Sequence, residues 1–154
     1  EAAGEEVAPL DTRFGYSREE VVRDFQKLGE DGRAVYRIVA GKIDMCFPLV
    51  YGSLFILVLA WLLKKLSQPG SKWLLLALLP LAGMIFDYLE NLNTLNLLDT
   101  FPNISAEVVR RAETTTISKH VLLLACVGLA LILALSLLIK RIRRRSGSFR
   151  PNRE

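Results

Sequence analysis

The chain has 154 residues, a formal net charge of +4 and a hydrophobic fraction of 51%, with two cysteines and a single histidine. That hydrophobic fraction is high for a soluble protein of this size. Because the sequence has neither a CxxC pattern nor clustered Cys and His, it disfavours a thiol oxidoreductase and a zinc site. We therefore expect no metal and no cofactor.

The N-terminal region divides into two parts. Residues 1–16 begin with a segment rich in Ala, Gly and Glu, which predicts a disordered acidic lead. Ser17 and Glu20 then form a capping box, and Gly29 stands in the stop position of the following helix. We interpret residues 17–42 as an outer-side amphipathic helix and a helical approach to the membrane. Because the chain starts without a methionine, we expect a removed signal peptide or a fourth hydrophobic helix upstream.

Three hydrophobic runs predict membrane-spanning helices, each of which needs about 20 residues to cross roughly 30 Å of hydrocarbon. They cover residues 43–63, 73–91 and 120–139. In the first run, Pro48 cannot donate a backbone hydrogen bond, which predicts a kink. Three such helices leave too little polar sequence to cover them in water. We therefore predict an all-α integral membrane protein, a small bundle of three transmembrane helices with short amphipathic outer helices.

The cationic residues predict the orientation of the bundle. The hairpin loop at residues 64–72 carries three lysines, and the tail at residues 140–154 carries seven cations. Because Lys and Arg favour the cytoplasmic side, we place hairpin and tail in the cytoplasm, and the N-terminal region and residues 92–119 outside. We expect residues 92–119 to form a polar loop followed by a helix that starts at Ser105. A basic cluster directly after a span predicts contact with anionic lipid and not with nucleic acid. Its residues are Lys140, Arg141, Arg143, Arg144 and Arg145.

A polar stripe on the second span is the strongest candidate for a functional site. It consists of Asp87, Glu90, Asn91 and Thr94, which lie within about 100° of one another on an α-helix. A charge that faces lipid costs at least about 2.5 kcal/mol, so these groups should face the bundle or water. Asn93 and Asn96 point elsewhere, which predicts that the helix leaves the hydrocarbon there.

Further charged residues reach the same level and leave two interpretations open. They are Arg33, Arg37 and Asp44 before the first span, and Lys119 and His120 before the third. In one interpretation Asp87 and Glu90 accept protons or bind a cation in an outward-opening pocket, with Lys119 or His120 opposite. Asp87, Glu90 and His120 are then the candidates for catalysis, although no catalytic role is assigned.

In the other interpretation the same charges pair only to hold three helices in register. A separate pair of alternatives concerns Arg33, Arg37 and Asp44, which share one helix face. We expect them either to bind a lipid phosphate or to anchor the helix by snorkelling. In the third span, Cys126, Ala130 and Ala134 form a small-residue ridge that predicts close helix packing. We expect this ridge to pack in one of three ways: within the bundle, against a partner membrane protein, or against a second copy of the chain.

The sequence indicates no family with a known activity. It has no Gly-rich phosphate loop, no GxSxG, no HExxH and no histidine pair for haem, and its outer segments are too short for a catalytic domain. We therefore expect a non-catalytic accessory or scaffold subunit that packs on a partner membrane protein. The alternative is a membrane-embedded lipid-binding protein or lipid-acting enzyme, with the outward-opening pocket on the second span. An ion pathway is disfavoured because the cytoplasmic halves of the spans are apolar.

Overall fold

A computed structural model describes residues 7–68 and 70–147 of the chain, and all regular structure in these two ranges is helical. The α-helices are α1 (Arg18–Ile38), α2 (Phe47–Leu66), α3 (Leu79–Thr100) and α4 (Ala106–Gly147). Three continuous helical stretches are long and apolar enough to cross a membrane, namely Arg18–Leu66, Lys72–Thr100 and Ala106–Arg145. The predicted all-α class and the three candidate spanning helices are thus confirmed.

Helix α1 begins where the capping box predicts. The Ser17 hydroxyl accepts a hydrogen bond from the Glu20 N–H at 3.2 Å, and the Glu20 carboxylate accepts one from the Ser17 N–H at 2.7 Å. At Gly29 the backbone has φ 65° and ψ −171°, a conformation that is essentially restricted to glycine. The predicted stop is therefore a break, after which the helix resumes and continues into a π-helical turn, Val39–Ile43.

The bend in the first span lies before Pro48 and not at it. Pro48 occupies the first turn of α2, where a backbone N–H has no acceptor within the helix. Its missing N–H therefore removes no hydrogen bond of the helix. The chain turns instead through the π-helical turn Val39–Ile43 and residues 44–46. This arrangement separates α1 from α2 and places Asp44 at the turn between them.

The helix of the second span starts close to the predicted residue 73 but continues beyond residue 91. It starts as a 3₁₀ helix, Lys72–Leu78, which becomes α-helical just before Pro80. At the other end α3 continues to Thr100, although residues 92–119 were predicted to begin as a loop. The helix continues because Leu97 and Leu98 are buried in an apolar core there. The helix start predicted at Ser105 is confirmed, since its hydroxyl accepts a hydrogen bond from the Val108 N–H.

Two apolar cores lie at opposite ends of the bundle. The hairpin core, next to the turn between α2 and α3, is built on Leu59, Leu63 and Ala77, with partly buried residues of α4 packed against it. The N-terminal core, at the far end, joins α1, α3 and the start of α4 around buried residues that include Phe25 and Leu97. Polar residues of the predicted stripe occupy the length of α3 between these two cores.

The segment before α1 differs from the disordered lead predicted for residues 1–16. Residues 1–6 lie outside the described part of the chain, but residues 7–16, here called the strap, pack on the bundle. Leu10 and Tyr16 are only 2% and 5% exposed, and the Leu10 N–H donates to the Tyr36 hydroxyl at 2.9 Å. Arg13 pairs with Asp24 at 2.8 Å. These contacts fix the strap because its few apolar side chains reach the N-terminal core.

Close helix packing fixes how the spans are rotated against one another. Gly52 of α2 faces Met84 of α3 so closely that a Cβ at this position would collide with the Met84 side chain. On α4, Cys126 is 2% exposed and Ala130 packs on the hairpin core, whereas Ala134 is exposed. Two of the three residues of the predicted small-residue ridge therefore pack within the bundle.

Candidate functional site

A cavity of about 290 Å³, here called the polar cavity, lies between α2, α3 and α4 and between the two apolar cores. Its floor is α3, which contributes Asp87 and Asn91. One wall is α4, which contributes Lys119, His120 and Leu123. The cavity is thus polar at its floor and becomes apolar along α4 towards the hairpin core.

The opposite wall is aromatic and acidic. Phe47, Tyr51 and Phe55 recur every four residues and therefore share one face of α2. Asp44, in the turn before α2, and Asp11, in the strap, complete the lining. Since Asp11 belongs to the strap, the end of the cavity towards the N-terminal core is bordered by protein.

A buried ion pair fixes α4 against α3 beside the cavity. The Lys119 ammonium bonds to the Glu90 carboxylate and lies 3.8 Å from Asp87 Oδ1. Asp87 Oδ2 accepts a hydrogen bond from the Tyr51 hydroxyl at 2.7 Å, which links α2 to the same cluster. The Glu90 side chain is 2% exposed and that of Lys119 12%. Because the Lys119 and Glu90 charges neutralise each other inside the bundle, the pair can be buried at a tolerable cost.

The lining of the polar cavity holds more acidic than basic side chains. Among the described residues that line the polar cavity, Lys119 is the only lysine or arginine, and three lining residues are aspartates. Within residues 7–68 and 70–147, no ion pair involves Asp11 or Asp44. In the same part of the chain, no group of three His, Cys, Asp or Glu residues could hold a metal ion.

Two buried polar atoms in the described part of the chain lack a hydrogen-bond partner. They are Oε1 of Glu90 and Nδ2 of Asn91. A buried donor or acceptor without a partner costs about 1–3 kcal/mol, so such groups are uncommon away from functional sites. Asn91 is 4% exposed and is one of the residues that line the polar cavity.

His120 contacts the strap and forms no ion pair with a carboxylate of the described residues. Its Nδ1 lies 2.8 Å from the Thr116 carbonyl oxygen, and because a carbonyl only accepts, Nδ1 carries the proton. The ring lies 4.8 Å from that of Phe14. The sequence offered Lys119 or His120 as the cation opposite Asp87 and Glu90. In the structure, Lys119 is the residue that pairs with both carboxylates.

The remaining residues of the predicted cluster lie outside the cavity. Thr94 is buried, at 4% exposure, but does not line it. Arg33 donates to the Phe25 carbonyl at 2.7 Å and lies over the Phe101 ring at 4.5 Å. Arg37 pairs with Asp99 at 2.6 Å in a largely exposed position. These two arginines thus contact the N-terminal core and α3 and not the carboxylates of the cavity.

Sequence reasoning missed several residues of this region. Asn93, expected to point away, is buried, donates to the Thr115 hydroxyl at 3.0 Å and accepts from Arg111 Nε at 3.1 Å. Tyr16 of the strap lies 3.4 Å from the Thr116 hydroxyl, and burial raises the pKa of Tyr16 to about 12, so it stays neutral. Tyr51 could have been found, because its hydroxyl is one of the few polar groups in an otherwise apolar span.

The basic cluster lies at the hairpin end of α4. Arg141, Arg143, Arg144 and Arg145 are exposed, and the Lys140 ammonium donates to the Lys65 carbonyl at 3.3 Å. This bond holds the start of the tail beside the end of α2. The basic surface and the polar cavity are therefore separated by the hairpin core.

A comparison with known proteins found no matching family model, no matching curated protein and no matching solved structure. The site is therefore interpreted from its own geometry and charge.

Proposed function

We propose that this chain is an integral membrane protein that binds the polar head of a membrane amphiphile in the polar cavity. The observation that carries the proposal is the cavity itself, which joins a carboxylate-lined floor to aromatic and aliphatic walls within three apolar helices. An amphiphile has the same division between a polar head and an apolar chain. In this proposal the head occupies the floor at Asp87 and Asn91, and the chain lies along Phe55 and Leu123.

The exposed side chains of the helices support membrane insertion. Leu54 and Leu57 of α2 are 60% and 68% exposed, and Leu124 and Leu131 of α4 are 61% and 66% exposed. Apolar surface of this extent on long helices is typical of lipid-facing helices. The basic cluster at the hairpin end supports a cytoplasmic hairpin and tail, which puts the polar cavity towards the outer side.

The borders of the cavity support a sideways opening, in place of the outward opening expected from the sequence. Asp11 of the strap borders it towards the N-terminal core, and the hairpin core closes the bundle at the other end. Helices α2 and α4 form the two walls of the cavity, and we take the gap between them as its open side. We infer that an amphiphile enters there directly from the bilayer and that no continuous polar path crosses the bundle.

The proposal is tested by blocking the gap between α2 and α4. Leu123→Trp adds a large ring to the apolar wall, and Leu124→Trp adds the same ring to the exposed face of α4. After purification in a mild nonionic detergent, mass spectrometry of the extracted lipid should find an enriched amphiphile with the wild type and with Leu124→Trp. Leu123→Trp should retain about tenfold less. Equal retention by the two variants would contradict binding in the cavity.

A non-catalytic accessory or scaffold subunit is the second candidate function. It is favoured by the exposure of α4. Only 6% of the residues in the most apolar 18-residue stretch of α4 are buried, against 28% and 33% in the other two candidate spans. This face is available to lipid or to a helix of a partner membrane protein. A stoichiometric protein partner in the same purification, with no enriched amphiphile, would favour this candidate.

A further inference from the structure

The polar cavity has an excess of carboxylates that its own cation does not neutralise. Asp11, Asp44 and Asp87 line it, whereas the single charge of Lys119 is shared between Glu90 and Asp87. Uncompensated negative charge is costly near a low-dielectric region, and a bound positive charge lowers that cost. The electrostatics of the cavity therefore favour a cationic ligand.

The arrangement of the carboxylates favours an organic cation. They come from the strap, the turn before α2 and the middle of α3, and no metal-binding group of three such residues occurs among the described residues. The wall beside them carries Phe47 and Tyr51, and the faces of such aromatic rings attract ammonium groups. A cavity of about 290 Å³ also exceeds the space that a bare ion needs.

Asn91 supplies an independent indication of a ligand. Its buried Nδ2 lacks a partner in the described part of the chain, and the residue lines the cavity. An amide N–H can only donate, so a ligand that satisfies it must offer an oxygen acceptor. A phosphate would meet the charges of three aspartates, so a neutral hydroxyl or carbonyl oxygen fits better.

We propose that the polar cavity selects amphiphiles whose head carries a primary ammonium beside a neutral oxygen, as in a long-chain amino alcohol. The ammonium lies between Asp44 and Asp11, and the oxygen accepts from Asn91. Asp87 contributes charge but is already hydrogen-bonded by Tyr51. This inference rests on the proposed function and adds to it the chemical class of the head.

The test compares defined twelve-carbon amphiphiles on the full chain in nonionic detergent. Thermal unfolding is followed against the mole fraction of 2-amino-1-dodecanol, dodecylamine, 1-dodecanol or dodecyl phosphate, with Leu123→Trp as the background. We expect 2-amino-1-dodecanol to bind at least about tenfold more tightly than 1-dodecanol. Asp44→Asn should remove most of this preference. The matched control Asp99→Asn, which removes a carboxylate paired with Arg37 outside the cavity, should keep it.

Asn91→Leu tests the oxygen acceptor separately. This variant should bind 2-amino-1-dodecanol and dodecylamine equally, while both still bind more tightly than 1-dodecanol. It also keeps the proposal testable if Asp44→Asn does not fold.

The outcomes distinguish this inference from the function on which it rests. Equal binding of 2-amino-1-dodecanol and 1-dodecanol, abolished in both cases by Leu123→Trp, would overturn the ammonium preference and leave amphiphile binding intact. Tighter binding of dodecyl phosphate would also overturn it. If no amphiphile stabilises the wild type above the Leu123→Trp background, both proposals fail.

Discussion

The bundle has a hairpin half around the hairpin core and a cavity half around the polar cavity. The same three helices bury apolar side chains in the first half and charged side chains in the second. In the hairpin half, Leu59, Leu63 and Ala77 are buried with apolar partners and leave no polar group to satisfy. In the cavity half, Asp87 and Glu90 are buried and depend on groups from other helices. Apolar packing therefore holds the helices together in the hairpin half, whereas buried ion pairs and hydrogen bonds hold them together in the cavity half.

The cavity half also combines the two interpretations that the sequence left open. The Lys119–Glu90 bond acts as a clasp between α4 and α3. Beside it, Asp44 and Asn91 line a space that the clasp leaves open. In this account the clasp holds the helices so that the adjoining cavity keeps its shape.

The largest expected effect comes from breaking the clasp. Lys119→Met leaves Glu90 and Asp87 without their cation, and loss of one partner of a buried pair destabilises by about 3–5 kcal/mol. Arg37→Gln, which breaks the exposed pair with Asp99, should cost about 1 kcal/mol or less. Thermal unfolding in detergent measures both. Similar stabilities of the two variants would show that the pair does not hold the cavity half together.

A somewhat smaller effect is expected in the hairpin half. Leu59 is completely buried, and Leu59→Ala should cost about 2–4 kcal/mol through lost packing and a cavity. Its amphiphile binding at a temperature well below unfolding should equal that of the wild type, because Leu59 does not line the polar cavity. The measurement is lipid retention beside thermal unfolding. Loss of retention in a folded Leu59→Ala variant would contradict the separation of the two halves.

The smallest of the three effects concerns helix spacing. Gly52→Leu forces the buried Met84 side chain to move, and overpacking of this kind costs about 1–3 kcal/mol. At Gly128 an added Cβ meets nothing within 4 Å, so Gly128→Leu is the matched control and should be no less stable than the wild type. Unfolding temperatures decide between them. Equal temperatures would mean that the approach of α2 to α3 is not fixed at Gly52.

Much of the fold could be predicted from local patterns. Hydropathy gave three long apolar helices, and the Ser17 capping box gave the start of α1, because both depend on residues near one another in the chain. The side chains of Asp87, Glu90 and Asn91 are buried together because helical geometry puts them on one face.

The rest depends on contacts between distant segments. His120 and Lys119 are neighbours in sequence, yet helix rotation directs Lys119 to Glu90 and His120 to Phe14 of the strap. The order of the strap depends on Leu10, whose burial requires the assembled N-terminal core. Periodicity gives the face of one helix, but only packing between helices decides what that face meets.

Amphiphile binding in the polar cavity is tested most directly by photocrosslinking in intact membranes. A benzophenone amino acid replaces Phe55, which lines the cavity, or Leu131, which is 66% exposed on α4. We expect position 55 to capture one enriched amphiphile, whereas position 131 captures lipids in the proportions of the surrounding membrane. The same lipid mixture at both positions, or a protein adduct at position 55, would contradict it.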